Sequence, residues 1–242
     1  MEAVKLFFVC MAVLAPSLGA MELKSSFGLV SYQVEGKGPT GSAWIKPSYT
    51  NQSYFELESK DFIHSTNYWK ARLEYIGGSS VLETNQSLFR KVQTSILHGG
   101  WGWIWNGDFE FETGIVGLQQ VHEIRDSALT AKTTQSELRL GNYFAIGYKH
   151  NFGLWGVAFN SSLGVLGWPK RQSAVSQIEL ALNRSIANSP WTFGFKVKEG
   201  YVELERNNNK TSDVGTASNA LLLFKQTETD TAIWAFTVGY KL

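Results

Sequence analysis

The sequence has a single cysteine, Cys10, among its 242 residues. This residue lies within the first twenty positions, which we predict to be removed, so the mature chain would have no thiol. That excludes disulfide cross-links and thiolate catalysis. Lysine and arginine exceed aspartate and glutamate by only one charge, which leaves no electrostatic basis for binding nucleic acid.

The familiar motifs of enzymes and cofactor sites are missing too. The sequence has no metal-ligand spacing, no nucleotide-binding glycine loop, no Gly-x-Ser-x-Gly and no His-Glu-x-x-His. We therefore predict no cofactor and no metal. After residue 20 there is also no apolar run of the roughly 20 residues that a membrane-spanning helix needs.

Residues 1–20 have the three parts of a secretory signal peptide. Lys5 supplies the positive charge, residues 6–15 are apolar without interruption, and residues 16–20 are mostly small. We expect cleavage after Gly19 or Ala20, with an uncleaved N-terminal anchor as the alternative. Residues 21–242 are then long enough for one sizeable domain.

Aromatic residues are abundant, at 14% of the chain with nine tryptophans, although the mean hydropathy is only −0.14. In the last twelve residues, large apolar side chains recur at alternate positions, and the positions between them are mostly small or polar. Since a strand sends alternate side chains to opposite faces, one face is apolar and the other mostly polar. This pattern is typical of a barrel strand between lipid and a polar lumen. The apolar face comprises Ala232, Trp234, Phe236, Val238, Tyr240 and Leu242.

This last strand resembles the closing strand of bacterial outer-membrane β-barrels, although that class favours Phe at the final position, where this chain has Leu242. The resemblance implies insertion into the outer membrane, contact with its lipids, and recognition of the C-terminal strand by the barrel-assembly machinery.

The same alternation recurs in the segment from Tyr68 to Ile76, where apolar residues alternate with charged ones. In a barrel, one parity meets lipid and the other lines the lumen. Lumen-lining side chains are then predicted at Lys70, Arg72, Glu74, Glu110, Glu112, Arg139, Lys149, Glu179, Lys196 and Lys198. Lipid-facing or interfacial side chains are predicted at Trp69, Trp101, Trp103, Trp105, Trp155, Trp191, Trp234, Phe236, Val238, Tyr240 and Leu242.

About eleven extended segments can be counted, and single-chain bacterial barrels have even strand numbers. Asn106-Gly107 is a strong hairpin signal, whereas residues 119–134 are polar without a period and predict a loop. Near Glu199-Gly200 the apolar parity changes, and a hairpin turn there gives twelve strands. We predict an all-β, antiparallel transmembrane barrel of about twelve strands, with ten as the runner-up. A secreted β-sandwich is the competing fold.

The predicted lumen carries charges of both signs, which does not favour a dedicated anion channel. A small, weakly selective pore for small polar solutes or ions is the first interpretation. A closed structural or adhesive barrel is the second.

A third interpretation rests on the segment His64-Ser65-Thr66-Asn67. It resembles the His-x-Ser-Asn motif of outer-membrane phospholipase A and lipid A deacylases, in which a strand places His and Ser on one face. The resemblance implies a lipid hydrolase with His64, Thr66 and Asn67 as catalytic candidates. Thr66 replaces the expected serine, and Tyr68 stands where glycine is expected.

Overall fold

Ten antiparallel strands close into one barrel in the computed structural model, which describes residues 20–37, 48–79, 89–125, 132–167, 173–205 and 226–242. Residues 1–19, with most of the predicted signal peptide, lie outside the described part. In chain order the strands are β1 (Met21–Lys37), β2 (Ser48–His64), β3 (Asn67–Ser79), β4 (Phe89–Trp105), β5 (Phe109–Arg125), β6 (Lys132–Phe152), β7 (Trp155–Leu166), β8 (Ser173–Ser185), β9 (Trp191–Glu205) and β10 (Gln226–Lys241). Within these ranges no helix is long and apolar enough to cross a membrane.

The barrel is closed by β1, which pairs with both β2 and β10. The β1–β10 ladder is continuous from Glu22 opposite Lys241 to Lys37 opposite Gln226. Each of the other strands pairs with its neighbours in the chain, so none of the ten described strands is left as a sheet edge. The predicted all-β closed barrel is confirmed, with the runner-up count of ten strands instead of twelve.

One of the two additional predicted strands is absent because β9 runs without a break through Glu199-Gly200. Lys196 and Lys198 are buried inside the barrel, and so are Val202 and Leu204 on the same parity. Even-numbered residues of β9 therefore point inward along the whole strand, and these inward side chains change from charged to apolar. The predicted hairpin turn at this point was wrong. The parity of the apolar residues changes because they face outward before Glu199 and inward after Gly200, within one continuous strand.

The loop predicted over residues 119–134 was also wrong at both ends, where the structure has strand. Strand β5 continues to Arg125, and β6 already begins at Lys132. A separate strand predicted over residues 220–226 lies almost wholly outside the described residues.

The two ends of the barrel differ. The start of β1 at Met21, the C-terminal Leu242 and the short turns lie at one end, here called the turn end; the opposite end is called the far end. At the turn end Asn106 and Gly107 have φ values of 53° and 77°, as the predicted tight hairpin requires. In bacterial outer-membrane barrels the short turns lie at the end that faces the periplasm.

The outer surface carries a belt of exposed apolar side chains in the half nearer the turn end. Tryptophan and tyrosine are concentrated at the border of the belt nearer the turn end. The rings of Trp69 and Trp101 meet edge-on with their centroids 4.8 Å apart, and those of Trp191 and Tyr240 have centroids 4.7 Å apart. Indole rings favour the headgroup depth of a bilayer. Members of the belt include Phe27, Phe111, Ile115, Leu140, Phe144, Leu163, Leu180, Phe195 and Phe236.

Beyond the belt, toward the far end, the polarity of the wall is inverted. The outer face there carries polar side chains such as Gln33, Glu199 and Asp230, all exposed. The inner face is an apolar core, as in a soluble protein. This far-end core contains Val30, Tyr32, Val34, Ile96, Val116, Leu118, Val202, Leu204 and Ile233.

Because every strand is paired on both sides, the folded barrel should resist SDS at room temperature. We expect unboiled protein to migrate differently from boiled protein on a gel. Recovery of the folded protein in a soluble fraction without detergent, with identical migration before and after boiling, would contradict a closed membrane barrel.

Candidate functional site

Charged side chains meet inside the barrel between the far-end core and the turn end. They point inward because β2, β3, β5 and β9 all present even-numbered residues to the interior. We call this group the charged layer. Its buried members are Glu56, Lys70, Arg72, Glu74, Glu112, Lys196 and Lys198.

Glu74 is the centre of the layer and is completely buried. Its Oε2 accepts hydrogen bonds from Lys198 Nζ and, at 3.2 Å, from Gln177 Nε2. Arg72 Nε lies 3.1 Å from the other carboxylate oxygen, Oε1. Arg72 also donates from Nη2 to Gln177 Oε1 at 3.1 Å. One carboxylate thus holds a cation from its own strand, Arg72, and a cation from β9, Lys198.

Glu56 forms a second centre on β2. Lys196 donates to its Oε1, and Tyr54 donates to its Oε2 at 2.7 Å. Lys196 is also 3.5 Å from Glu179 Oε2, and Lys198 Nζ is 3.8 Å from Glu56 Oε2. Lysines of β9 therefore join carboxylates on β2 and β3 across the lumen, and a carboxylate on the adjacent strand β8.

A third group links β3 with β5. Lys70 Nζ lies 3.0 Å from Glu112 Oε2 and 3.5 Å from Glu58 Oε2, and the Tyr143 hydroxyl donates to Glu112 Oε1. Closer to the turn end, Lys60 donates to Glu110 Oε1 at 2.6 Å. Each of these carboxylates has a cationic partner, as buried charges require.

His98 of β4 is a buried neighbour of the charged layer that the sequence did not single out. Its Nδ1 lies 2.9 Å from Arg72 Nη2. Because a guanidinium can only donate, Nδ1 accepts and the proton resides on Nε2. That nitrogen has no hydrogen-bond partner in the described structure, and the ring packs against Tyr143 at 4.8 Å.

Sequence reasoning also missed Glu56, Glu58 and Lys60, although their alternation was visible. All three lie on even positions of the segment preceding the β2–β3 turn. Pro47, which precedes them in the sequence, interrupts the regular alternation and obscures this polar parity.

The predicted lumen residues all lie on inward-facing positions of their strands, but they do not form one group. Glu110 and Glu179 border the charged layer through Lys60 and Lys196. Arg139 lies nearer the far end and donates to the Glu205 carbonyl oxygen at 3.0 Å. Lys149 lies apart, near the turn end. The remaining six predicted residues are the buried ones: Lys70, Arg72, Glu74, Glu112, Lys196 and Lys198.

The residues predicted to meet lipid have side chains on the outer surface. They alternate with inward residues in the registers of β3, β4, β7, β9 and β10 and are exposed or half-buried. The exposed ones are Trp69, Trp103, Trp105, Trp155, Trp191, Trp234, Phe236 and Leu242; the half-buried ones are Trp101, Val238 and Tyr240.

The hydrolase candidates lie at a hairpin turn. His64 is the last residue of β2, Ser65 and Thr66 form the turn, and Asn67 begins β3. His64 and Thr66 are exposed, and no side-chain hydrogen bond between them is present in the described structure. They therefore do not share one strand face, which is the arrangement that proton transfer to the histidine needs.

The charged layer fills the lumen at its level. Arg72, Glu74, Lys196 and Lys198 lie inside the barrel, yet each is at most 4% accessible to water. Side chains lining an open channel would be wetted. The described residues also contain no group of three or more histidine, cysteine, aspartate or glutamate residues that could hold a metal ion.

Comparison with solved structures identifies similar barrels. The outer membrane protease OmpT from Escherichia coli superposes with a TM-score of 0.50 at 10% identity, covering 95% of this chain and 99% of OmpT. The translocator domain of autotransporter NalP from Neisseria meningitidis gives 0.44 at 8% identity, covering 99% and 94% of the two chains. Ail from Yersinia pestis gives 0.42 at 9% identity, covering 91% and 98%.

No protein-family model and no curated protein sequence matches the chain. At 10% identity the likeness to OmpT establishes the fold and nothing finer. The chain thus has the closed antiparallel barrel fold predicted from its closing strand, and solved bacterial outer-membrane proteins such as OmpT share that fold.

Proposed function

We propose that the chain is an integral outer-membrane barrel whose lumen is closed by its own side chains, and that it serves as a structural or adhesive scaffold instead of a diffusion pore. The observation that carries this proposal is the buried charged layer, in which Glu74 and Lys198 pair across the lumen with no access to water.

The apolar belt supports the membrane location. A soluble barrel would not expose Phe27, Phe144, Phe195 and Phe236 around its circumference. The proposal includes export through a signal peptide, contact of the belt with membrane lipids, and recognition of β10 by the barrel-assembly machinery.

The pairing of interior charges separates the closed barrel from the pore. A weakly selective pore would use its lumen charges to attract ions in water. Here the charges satisfy one another: Glu56 with Lys196, Glu74 with Lys198, and Lys70 with Glu112. A second barrier follows toward the far end, where Leu118, Leu204 and other members of the far-end core fill the interior.

The proposal predicts a silent protein in planar bilayers. Purified barrel that has kept its heat-modifiable migration should give no conductance steps at any applied voltage that the bilayer withstands. Co-flotation with liposomes checks that the protein has inserted. Reproducible single-channel steps from inserted protein would overturn the closed scaffold and favour the pore.

A further inference from the structure

A separate cavity of about 230 Å³ opens at the turn end of the lumen, on the turn-end side of the charged layer. It exists because the wall formed by β7 to β10 presents small side chains here, including Gly156, Ala158 and Gly239. The opposite wall is filled by larger groups: Tyr68 and Lys60 pack together, with the Lys60 ammonium 3.7 Å from the tyrosine ring centroid.

Polar side chains lie directly against two of these glycines. A Cβ on Gly156 would come within 2.5 Å of Asn151 Oδ1, and one on Gly239 within 2.3 Å of Thr192 Oγ1. The cavity is thus lined by amide and hydroxyl groups held close to bare backbone. Such groups donate hydrogen bonds without adding charge.

The charge of the lining is unbalanced. Three ammonium groups, from Lys24, Lys149 and Lys241, face it together with the single carboxylate of Glu22. Glu22 lies 3.1 Å from Lys241 and 3.8 Å from Lys24. It cannot neutralise all three lysines.

Lys149 carries the uncompensated charge. It has no ion pair or hydrogen bond through its side chain within the described structure, although it lies within electrostatic range of Glu22, Lys24 and Lys241. Glu110, the other carboxylate in range, is already held by Lys60 at 2.6 Å and by the Tyr68 hydroxyl at 3.3 Å. Lys24 is shared with Glu58 at 3.6 Å.

We propose that this turn-end cavity binds a small oxyanion of the phosphate class. Lys149 is the main ligand, Lys241 and Lys24 add positive charge, and Asn151, Asn183 and Thr192 supply neutral hydrogen-bond donors. Lysine binds phosphate as a point charge, and a group carrying one to two negative charges matches the excess of the lining. Low-dielectric walls strengthen the attraction. This proposed site does not depend on whether the rest of the lumen conducts ions.

The test is equilibrium dialysis of folded protein in detergent against radiolabelled inorganic phosphate at low ionic strength. The parent should bind saturably, and Lys149→Gln should weaken binding tenfold or more, as expected when a charged hydrogen-bond partner is lost. Arg184→Gln is the matched control, since it removes the same charge at the same end but on the outer wall, beside Trp155. It should bind phosphate like the parent.

A second variant, Ala158→Leu, fills the cavity without changing charge and should also abolish binding; it decides the matter if Lys149→Gln does not fold. Competition by glycerol 3-phosphate identifies the source: stronger binding than inorganic phosphate indicates an esterified phosphate such as a lipid headgroup, and weaker binding indicates the free ion. Absence of saturable binding by the parent, or unchanged binding in the variants, would overturn the proposal.

Discussion

Replacing Glu74 by glutamine should destabilise the barrel by about 3–5 kcal/mol, because removing one partner of a buried ion pair leaves the other charge uncompensated. In this variant Arg72 would lose its carboxylate partner and Lys198 would lose its nearest one, keeping only Glu56 at 3.8 Å, in a region that water does not reach. The measurement is the urea midpoint of unfolding in detergent or lipid vesicles, followed by tryptophan fluorescence.

The control for this substitution is Glu199→Gln on the outer wall, which is exposed and should change the unfolding free energy by no more than about 0.5 kcal/mol. The double variant Glu74→Gln/Lys198→Met should lose less stability than the sum of its single variants, since the two residues interact directly. Equal, small losses for Glu74→Gln and Glu199→Gln would show that water enters the charged layer, and the closed-lumen proposal would fail.

The second large effect is expected on the outer belt. Phe27→Arg should cost about 2–4 kcal/mol, because it puts a charge on the lipid-facing side of β1 near the middle of the belt. Phe27 is 54% exposed and lies opposite Phe236 of β10. Refolding into vesicles at a series of urea concentrations measures the loss.

Gln33→Arg provides the matched comparison on the same strand. Gln33 faces outward like Phe27, but six residues nearer the far end, roughly 20 Å along the strand. It lies opposite Asp230 in the polar part of the wall. The same new charge should there cost less than about 1 kcal/mol. Similar losses at both positions would mean that the belt does not mark the bilayer.

The general fold could be predicted because lipid and lumen impose opposite demands on alternate residues. The closing strand and the Asn106-Gly107 hairpin show this locally, without any long-range information. Such alternation predicts a closed antiparallel barrel, but it does not determine the number of strands. Where β9 leaves the belt at Glu199, the apolar residues move to the inner parity, and the sequence pattern of that change is the same as that of a turn.

The charged layer could be predicted only in part. The parity of β3 indicated that Lys70, Arg72 and Glu74 point inward, but the pattern is the same for a wet channel and a filled one. Closure depends on contacts between distant positions. Glu56 and Lys196 are separated by 140 residues in the chain and meet because the barrel brings β2 and β9 to face each other. No local pattern encodes such a meeting.

The inversion of polarity on β9 has a consequence for how deeply the barrel sits in the bilayer. Displacement in one direction along the membrane normal would draw Glu199 and Glu203 into hydrocarbon, and displacement in the other would bring Phe193 and Phe195 into water. The far-end wall already has its own apolar interior and needs no lipid for stability. In a bilayer thicker or thinner than the belt, we therefore expect the protein to tilt or the lipid to deform locally, with the far-end wall remaining in solvent.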